Sequence, residues 1–353
     1  MNSKRRKTVG IIFGGQSNEH DVSIKSAKTI FDALNSKLNI QKFSTKIFYV
    51  NKHGFWFSDP ISLSLLKNEK NIRELNSEKY SSNVNFLKNI DCDDIDIWFP
   101  VIHGFNGEDG TIQGLLKLTQ KSYVSSGLLG SVLGMDKITM KLIFSYFNIP
   151  QVKYFPIQNY DLSNQNNLKR IITEILKQLK FPIFIKPSNS GSSMGISKVS
   201  SKSELIPALK KALKIDKRII AEEGLEVREL ECSVIGKSEL KVSEVGEVNY
   251  FSDWYDYESK YTNKNKIIIP ANINLNLKKK IQELTLQSCQ ILNIDQYARV
   301  DFFLEKKTNK VFLNEINTIP GFTNTSMFPL LWKASGLEID QLVARLIEIA
   351  FEI

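Results

Sequence analysis

Short apolar runs alternate with helical spacing through the first third of the chain. Residues 9–13 form one such run and end at Gly14-Gly15, after which Ala27, Ile30, Phe31 and Leu34 recur three and four apart. Residues 46–50 and 95–101 form further apolar runs. Runs this short suit buried strands, and the interleaved helical period suits helices packed on them. Strand–helix alternation predicts a parallel α/β sheet. Residues 68–85 are polar and are expected as a loop or surface helix. Residues 111–119 are expected as a helix whose apolar residues are Leu115, Leu116 and Leu118. These elements fill a first domain over residues 1–130.

Farther along, the pattern turns mixed. Residues 135–147 are helical in pattern and stop before Pro150, and 168–179 form a second amphipathic helix. Strands are expected at 181–186 and 196–199, then a helix capped by Ser203, with Pro207 tolerated in its first turn. Residues 219–248 are strand-rich, 277–292 are helical, two strands flank 306–310, and a last helix closes the chain near Ile353. The expected fold is therefore an α/β head on an α+β body, with further domains over 131–220 and 221–353.

The chain has 353 residues, 42% apolar and 24% charged, which suits a folded protein and excludes wholesale disorder, collagen and coiled coil. No apolar run approaches the ~18 residues that span a bilayer. Residues 1–15 are basic and then apolar, like a signal peptide, but the apolar part is short and Ser17-Asn18-Glu19-His20-Asp21 follows at once. The three cysteines, Cys92, Cys232 and Cys289, lie far apart and form no metal-spaced pair, which fits a reduced cytoplasm. A net charge of +9 raises nucleic acid as a partner, but the lysines are scattered. An enzyme acting on anions fits that charge better, and neither nucleic acid nor membrane is expected.

Two segments suit anion or cation binding. In Lys186-Pro187-Ser188-Asn189-Ser190-Gly191-Ser192-Ser193-Met194-Gly195 a strand delivers a lysine to a loop of small residues, and a second strand leaves it. Such a loop lets backbone N–H groups approach an anion, and the lysine adds a point charge. The Walker pattern is absent and no helix follows, so this is a flap between strands or an ordinary Gly/Ser hairpin. In the second, Arg299, Asp301 and Phe303 share one strand face, and Leu313, Glu315 and Asn317 share another. A hairpin centred near Thr308 sets Asp301 opposite Glu315 and Arg299 opposite Asn317. Facing carboxylates repel unless a cation lies between them, and an all-oxygen donor set suits Mg²⁺. A solvated face with Arg299 paired to an acid is the plainer alternative.

Three more segments suit a small polar substrate. Glu19 follows Gly14-Gly15 at a strand end, where an open α/β sheet binds ligands, and reads as an ammonium partner or a helix cap. His103 opens the glycine-rich loop His103-Gly104-Phe105-Asn106-Gly107-Glu108-Asp109-Gly110. Residues 250–261 are aromatic, charged and without period, which suits a water-excluding lid or an anchored surface loop.

Seven separated motifs, in order, resemble the D-alanine–D-alanine ligase family of the ATP-grasp superfamily. They are Gly14-Gly15-x-Ser17-x-Glu19-His20-x-Val22-Ser23, His103-Gly104-x-x-Gly107-Glu108-Asp109-Gly110-x-Ile112-Gln113-Gly114, Met135-Asp136-Lys137, Lys186-Pro187 with Gly191-Ser192-Ser193-x-Gly195, Asp256-Tyr257-Glu258-x-Lys260-Tyr261, Arg299-x-Asp301-Phe302, and Asn314-Glu315-Ile316-Asn317-Thr318-x-Pro320-Gly321-Phe322-Thr323-x-x-Ser326-Met327. The resemblance implies an ATP-grasp fold behind an N-terminal open parallel-sheet domain. The central subdomain would carry the flap, and the C-terminal one the metal site and lid.

The resemblance also implies a cytoplasmic homodimer that joins two D-alanines for peptidoglycan, using ATP and two Mg²⁺ (Mn²⁺ as a substitute), through an acyl phosphate. Glu19 would grip the first ammonium, tied to Ser192 and Tyr261 across the lid, with His103 near the same substrate. Lys137, Lys186, Gly191, Ser192 and Ser193 would hold phosphates. Glu222, Leu225 and Glu229 would contact adenine and ribose, although Gly224 stands where a bulkier residue is common. Asp301, Glu315 and Asn317 would bind the metals, and Arg299 with the Gly321 N–H would stabilise the oxyanion. Lys260, Ser326 and Met327 would receive the second D-alanine. Relatives that form D-alanyl-D-lactate differ in the lid, and Lys260-Tyr261 resembles the dipeptide-forming kind.

Overall fold

A computed structural model describes residues 5–68, 93–162, 164–249 and 266–352. The first sheet has the order β3-β2-β1-β4-β5. Its strands are β1 (Lys7–Gly14), β2 (Phe43–Val50), β3 (Trp56–Phe57), β4 (Ile97–Pro100) and β5 (Ser122–Tyr123). All pairings are parallel except that of β3, at the edge. Helices α1 (His20–Leu34), α2 (Ile61–Asn68) and α3 (Thr111–Leu118) accompany it. Val9, Ile11, Ile12 and Phe13 are buried on both sheet faces, which explains why β1 reads as an unbroken apolar run. On α3, Ile112 and Leu116 are buried at four-residue spacing, whereas Leu118, also apolar, is 82% exposed. Two residues from Leu116, it faces the opposite side of the helix.

The helix expected over residues 135–147 is α5 (Lys137–Tyr146), and a further helix that the pattern did not announce, α4 (Leu128–Met135), directly precedes it. The break is Asp136, in extended backbone, whose carboxylate accepts the Thr139 N–H at 2.8 Å and caps α5. A four-stranded antiparallel sheet of order β6-β9-β7-β8 follows, from β6 (Tyr154–Gln158), β7 (Ile183–Pro187), β8 (Ser197–Val199) and β9 (Arg218–Glu223). Helices α6 (Gln165–Gln178) and α7 (Lys202–Leu213) belong to this layer. Ser201, not Ser203, precedes α7, and its hydroxyl donates to Glu204 at 2.7 Å. Pro207 therefore lies in the second turn, with no N–H to offer the Ser203 carbonyl.

The third sheet, of order β12-β11-β10-β13-β14, is antiparallel. It contains β10 (Val227–Gly236), β11 (Leu240–Asn249), β12 (Lys266–Ile268), β13 (Gln296–Glu305) and β14 (Val311–Asn317), with α8 (Leu275–Ile291) against it. Two helices end the fold, α9 (Met327–Ala334) and α10 (Ile339–Phe351). Leu342, Val343, Leu346 and Ile347 of α10 share one core with Val9, Ile11 and Phe13 of β1. The first sheet's core thus closes only with the end of the chain. Among the described residues no helix is long and apolar enough to cross a membrane. Residues 69–92, which hold most of the expected loop or surface helix and Cys92, lie outside the described residues, as does the expected lid.

Candidate active site

A cavity of about 730 Å³ opens between the second and third sheets. Val152, Pro182, Phe184 and Leu225 give it an apolar part. Lys137, Lys186, Glu222, Glu229, Asp301, Glu315 and residues 190–193 give it a charged and hydroxyl-rich part. The flap expected after β7 is therefore a cavity wall. Its tip turns through left-handed backbone, with φ of +50° at Ser192 and +57° at Ser193.

Three lysines stand around two acids. Lys137, the first residue of α5, donates to the Ser190 carbonyl at 2.9 Å and pairs with Glu315 at 3.2 Å, so one ammonium ties the flap to β14. Lys186 lies 2.5 Å from Glu222 Oε2, and Lys141, which sequence reasoning did not single out, lies 3.1 Å from Glu222 Oε1. Burial alone would raise the Glu222 carboxyl, but Lys141 and then Lys186 outweigh it and hold it at about 2. Burial pushes the Lys141 ammonium down and Glu222 pulls it back. For Lys186 the attraction of Glu222 wins over burial and raises it.

On the metal-expected hairpin, Asp301 pairs with Glu315 and Arg299 with Asn317, the register the hairpin arithmetic predicts, with an irregularity between Asp301 and Phe302. The Arg299 guanidinium donates twice to Asp301, at 2.7 and 2.8 Å, and its Nε lies 2.7 Å from Glu231 on β10. Burial opposes the Arg299 charge, but Asp301 and Glu231 more than compensate and raise its pKa well above the usual range. The Asn317 amide donates to Asp301 at 2.9 Å. Two carboxylates and an amide make an all-oxygen but incomplete set, and among the described residues no group of three His, Cys, Asp or Glu forms a metal site. Such a set fits Mg²⁺, which usually keeps water and phosphate oxygens in its octahedron.

Glu19 joins this cavity to the first sheet. Ser192 Oγ donates to Glu19 Oε1 at 2.5 Å. A Cβ on Gly104 would stand 2.6 Å from Glu19 Oε2, and one on Gly191 3.2 Å, so glycine on both loops makes room for the carboxylate. His103 and Glu108 do something the sequence did not show. The Ile319 N–H donates to Glu108 Oε1 at 3.0 Å, and the Ile319 carbonyl lies 2.8 Å from His103 Nδ1. His103 Nδ1 therefore carries hydrogen, and Nε2, 3.0 Å away, accepts from the Ser26 hydroxyl. Ser26 in turn accepts the Phe322 N–H at 3.1 Å. One glycine-rich loop thus clamps the turn that presents Gly321. Burial lowers the His103 pKa, and burial with the nearby Glu19 raises the Glu108 pKa to about 8.

Of the remaining expected residues, Ser326 Oγ accepts the Thr323 N–H at 3.0 Å beside Gly321. Met327 is 5% exposed and its sulfur packs toward Gly246 of β11, so its side chain is core. Both nitrogens of His20 are occupied, by the Gly15 carbonyl at 2.6 Å and the Tyr49 hydroxyl at 3.0 Å. Lys260 and Tyr261 lie outside the described residues. A second lysine one helical turn after Lys137 was the available signal for Lys141, and the Glu229-x-Glu231 alternation was the one for Glu231.

Comparison with known proteins follows the same outline. Family models described as D-ala D-ala ligase N-terminus and D-ala D-ala ligase C-terminus match residues 8–126 and 143–348. The chain is 58% identical over 355 positions to the D-alanine–D-alanine ligase of Prochlorococcus marinus strain MIT 9312, with 100% of both chains covered. It is 49% identical over 348 positions to that of strain NATL2A, covering 98% of this chain and 99% of the relative. Among solved structures, the VanG D-Ala:D-Ser ligase from Enterococcus faecalis superposes with a TM-score of 0.83 at 32% identity, covering 98% of this chain and 100% of that one. The D-alanine–D-alanine ligase from Coxiella burnetii gives 0.81 at 29% identity, covering 98% and 94%.

Proposed function

This chain belongs to the D-alanine–D-alanine ligase family, and from that premise we propose that it joins two D-alanines, converting ATP to ADP and phosphate, to supply a peptidoglycan precursor. The observation that carries the reading is the meeting of Glu19 with Ser192 at 2.5 Å. An acid suited to an ammonium group there adjoins a flap suited to phosphate. An amino acid gripped at Glu19 would point its carboxylate toward the cavity that Lys137, Lys186 and Glu315 line.

The chemistry divides among this chain's residues as follows. Glu19 binds the ammonium of the first D-alanine, and Ser192 fixes that carboxylate in place. Lys137, Lys186 and the backbone of Gly191, Ser192 and Ser193 hold and orient the triphosphate, while Leu225, Glu222 and Glu229 receive the nucleoside. The substrate carboxylate attacks the γ-phosphorus, ADP leaves, and an acyl phosphate forms. The amine of the second D-alanine, held through Ser326, attacks the acyl carbon. Arg299 and the Gly321 N–H face the developing oxyanion, and phosphate leaves. Mg²⁺ held by Asp301, Glu315 and Asn317 would neutralise charge on the transferring phosphoryl group when bound. Lys260 is assigned to the second D-alanine, and Tyr261 to the Glu19–Ser192 contact across the lid, as the family motif places them, and the assembly is proposed as a cytoplasmic homodimer.

D-serine is the second acceptor to weigh, because the Enterococcus faecalis structure is that of a D-Ala:D-Ser ligase. With D-alanine labelled with ¹⁸O in its carboxylate, the reaction should give the dipeptide, ADP and phosphate carrying ¹⁸O. Dipeptide with wholly unlabelled phosphate would remove the acyl-phosphate route, and no dipeptide would remove the ligase reading.

A further inference from the structure

Glu222 meets two ammonium groups where one would balance its charge. The two lysines differ in what else they reach. Lys186 ends β7 and lines the cavity beside the flap. Lys141 has no exposed side-chain surface, sits on α5 against β9, and has Glu222 on one side and the Tyr154 ring, 5.7 Å from its nitrogen, on another. A buried ammonium is costly unless paired, so Lys141 is committed to Glu222. Lys186 has a second anion to serve whenever a triphosphate enters.

We propose that Lys141 is the fixed counter-charge of Glu222, a positioning residue that keeps this carboxylate ionised and oriented while Lys186 turns to the phosphates, and that it thereby sets the preference for a 6-amino over a 6-oxo purine nucleotide. The inference rests on the nucleotide reading of the cavity given above. Val152, Phe184 and Leu225 offer apolar surface that grips either purine alike. Discrimination therefore falls to Glu222. An ionised carboxylate only accepts hydrogen bonds, so it accepts from a 6-amino group and meets a 6-oxo group lone pair to lone pair. Without Lys141, Glu222 either takes up a proton and can donate to the 6-oxo group, or retains Lys186. The first outcome erodes the preference, whereas the second leaves Glu222 ionised and weakens phosphate binding of both nucleotides alike.

The test is calorimetric binding of ATP and of inosine triphosphate, with Mg²⁺, to the full chain and to Lys141→Met. The ATP-over-ITP ratio of Kd values should fall roughly tenfold or more, the scale of one hydrogen bond to a charged group. Lys141→Arg should recover most of it, while the KM for D-alanine stays unchanged. A folded Lys141→Met with the unmodified ratio overturns the proposal. If Lys141→Met does not fold, Lys141→Gln, which keeps a donor to Glu222 without the charge, is measured in its place, and an unmodified ratio there overturns the proposal equally. Absence of D-alanine-dependent turnover in the unmodified chain would instead sink the ligase reading, and the binding ratio would still be measurable.

Discussion

At the scale of single residues, charges in this site are placed by partners far away in sequence. The placement of Glu315 across from Asp301 was legible because strand residues alternate between faces, and the ladder pairs them so. Glu315→Ala should lower D-alanine-dependent phosphate release at least about a hundredfold, as loss of a group that stabilises transferring charge does. Its melting curve should stay close to the unmodified one, because the side chain is 24% exposed. Near-normal turnover would refute the assignment. Glu108 was not legible, since its partner Ile319 comes from the other end of the chain. Its carboxyl titrates at about 8 in the fold against an ordinary 4.5. The folded state therefore holds a proton that the unfolded chain releases across that interval. The resulting stability is full below 4.5 and is lost as pH rises to about 8. Glu108→Gln keeps an acceptor for the Ile319 N–H and should flatten the fall. Urea midpoints measured through that pH window would show it, and an unchanged slope would exclude Glu108 as its source.

Among elements, strands and their partners were easier to read than helix ends. The β13–β14 register followed from period-2 alternation and one turn, both local. Helix α4 went unread and α5 was begun two residues early, because only the extended backbone at Asp136 separates them. That residue does three jobs: it caps α5, accepts the Ser188 hydroxyl at 3.1 Å, and pairs with Arg218. Lys137 follows it directly. Asp136→Ala should destabilise the chain by about 2–3 kcal/mol, from a lost cap and a stranded, partly buried arginine. It should also raise the KM for ATP by moving Lys137. A variant that loses stability yet keeps its ATP KM would show that the cap does not position the lysine.

For the molecule as a whole, the sequence pattern suggested a first domain over residues 1–130. One core runs from β1 of that segment into α10, and Asn39 donates to the Asp340 carbonyl at 2.8 Å across the same junction. Helical periodicity announces that α10 buries a face, but not which sheet receives it, and that contact spans nearly the full chain. Leu346→Ala, at a fully buried position, should cost about 2–5 kcal/mol by leaving a cavity. The shift should appear equally in circular dichroism and in tryptophan fluorescence, because Trp98 lies buried in the first sheet. A loss confined to one signal would mean that the head unfolds by itself. The same long-range closure brings the loops of the first sheet, with Glu19 and Glu108, against Ser192 and Ile319 of the body. On it depends the central claim, that an ammonium site and a phosphate-transfer cavity are contiguous. Phosphate release from ATP, measured in parallel with D-alanine, L-alanine, D-serine and D-lactate, tests that claim most directly. D-alanine should drive release fastest, with L-alanine near background. Release that ignores the amino acid, or that runs faster with L-alanine or D-lactate near neutral pH, would contradict it.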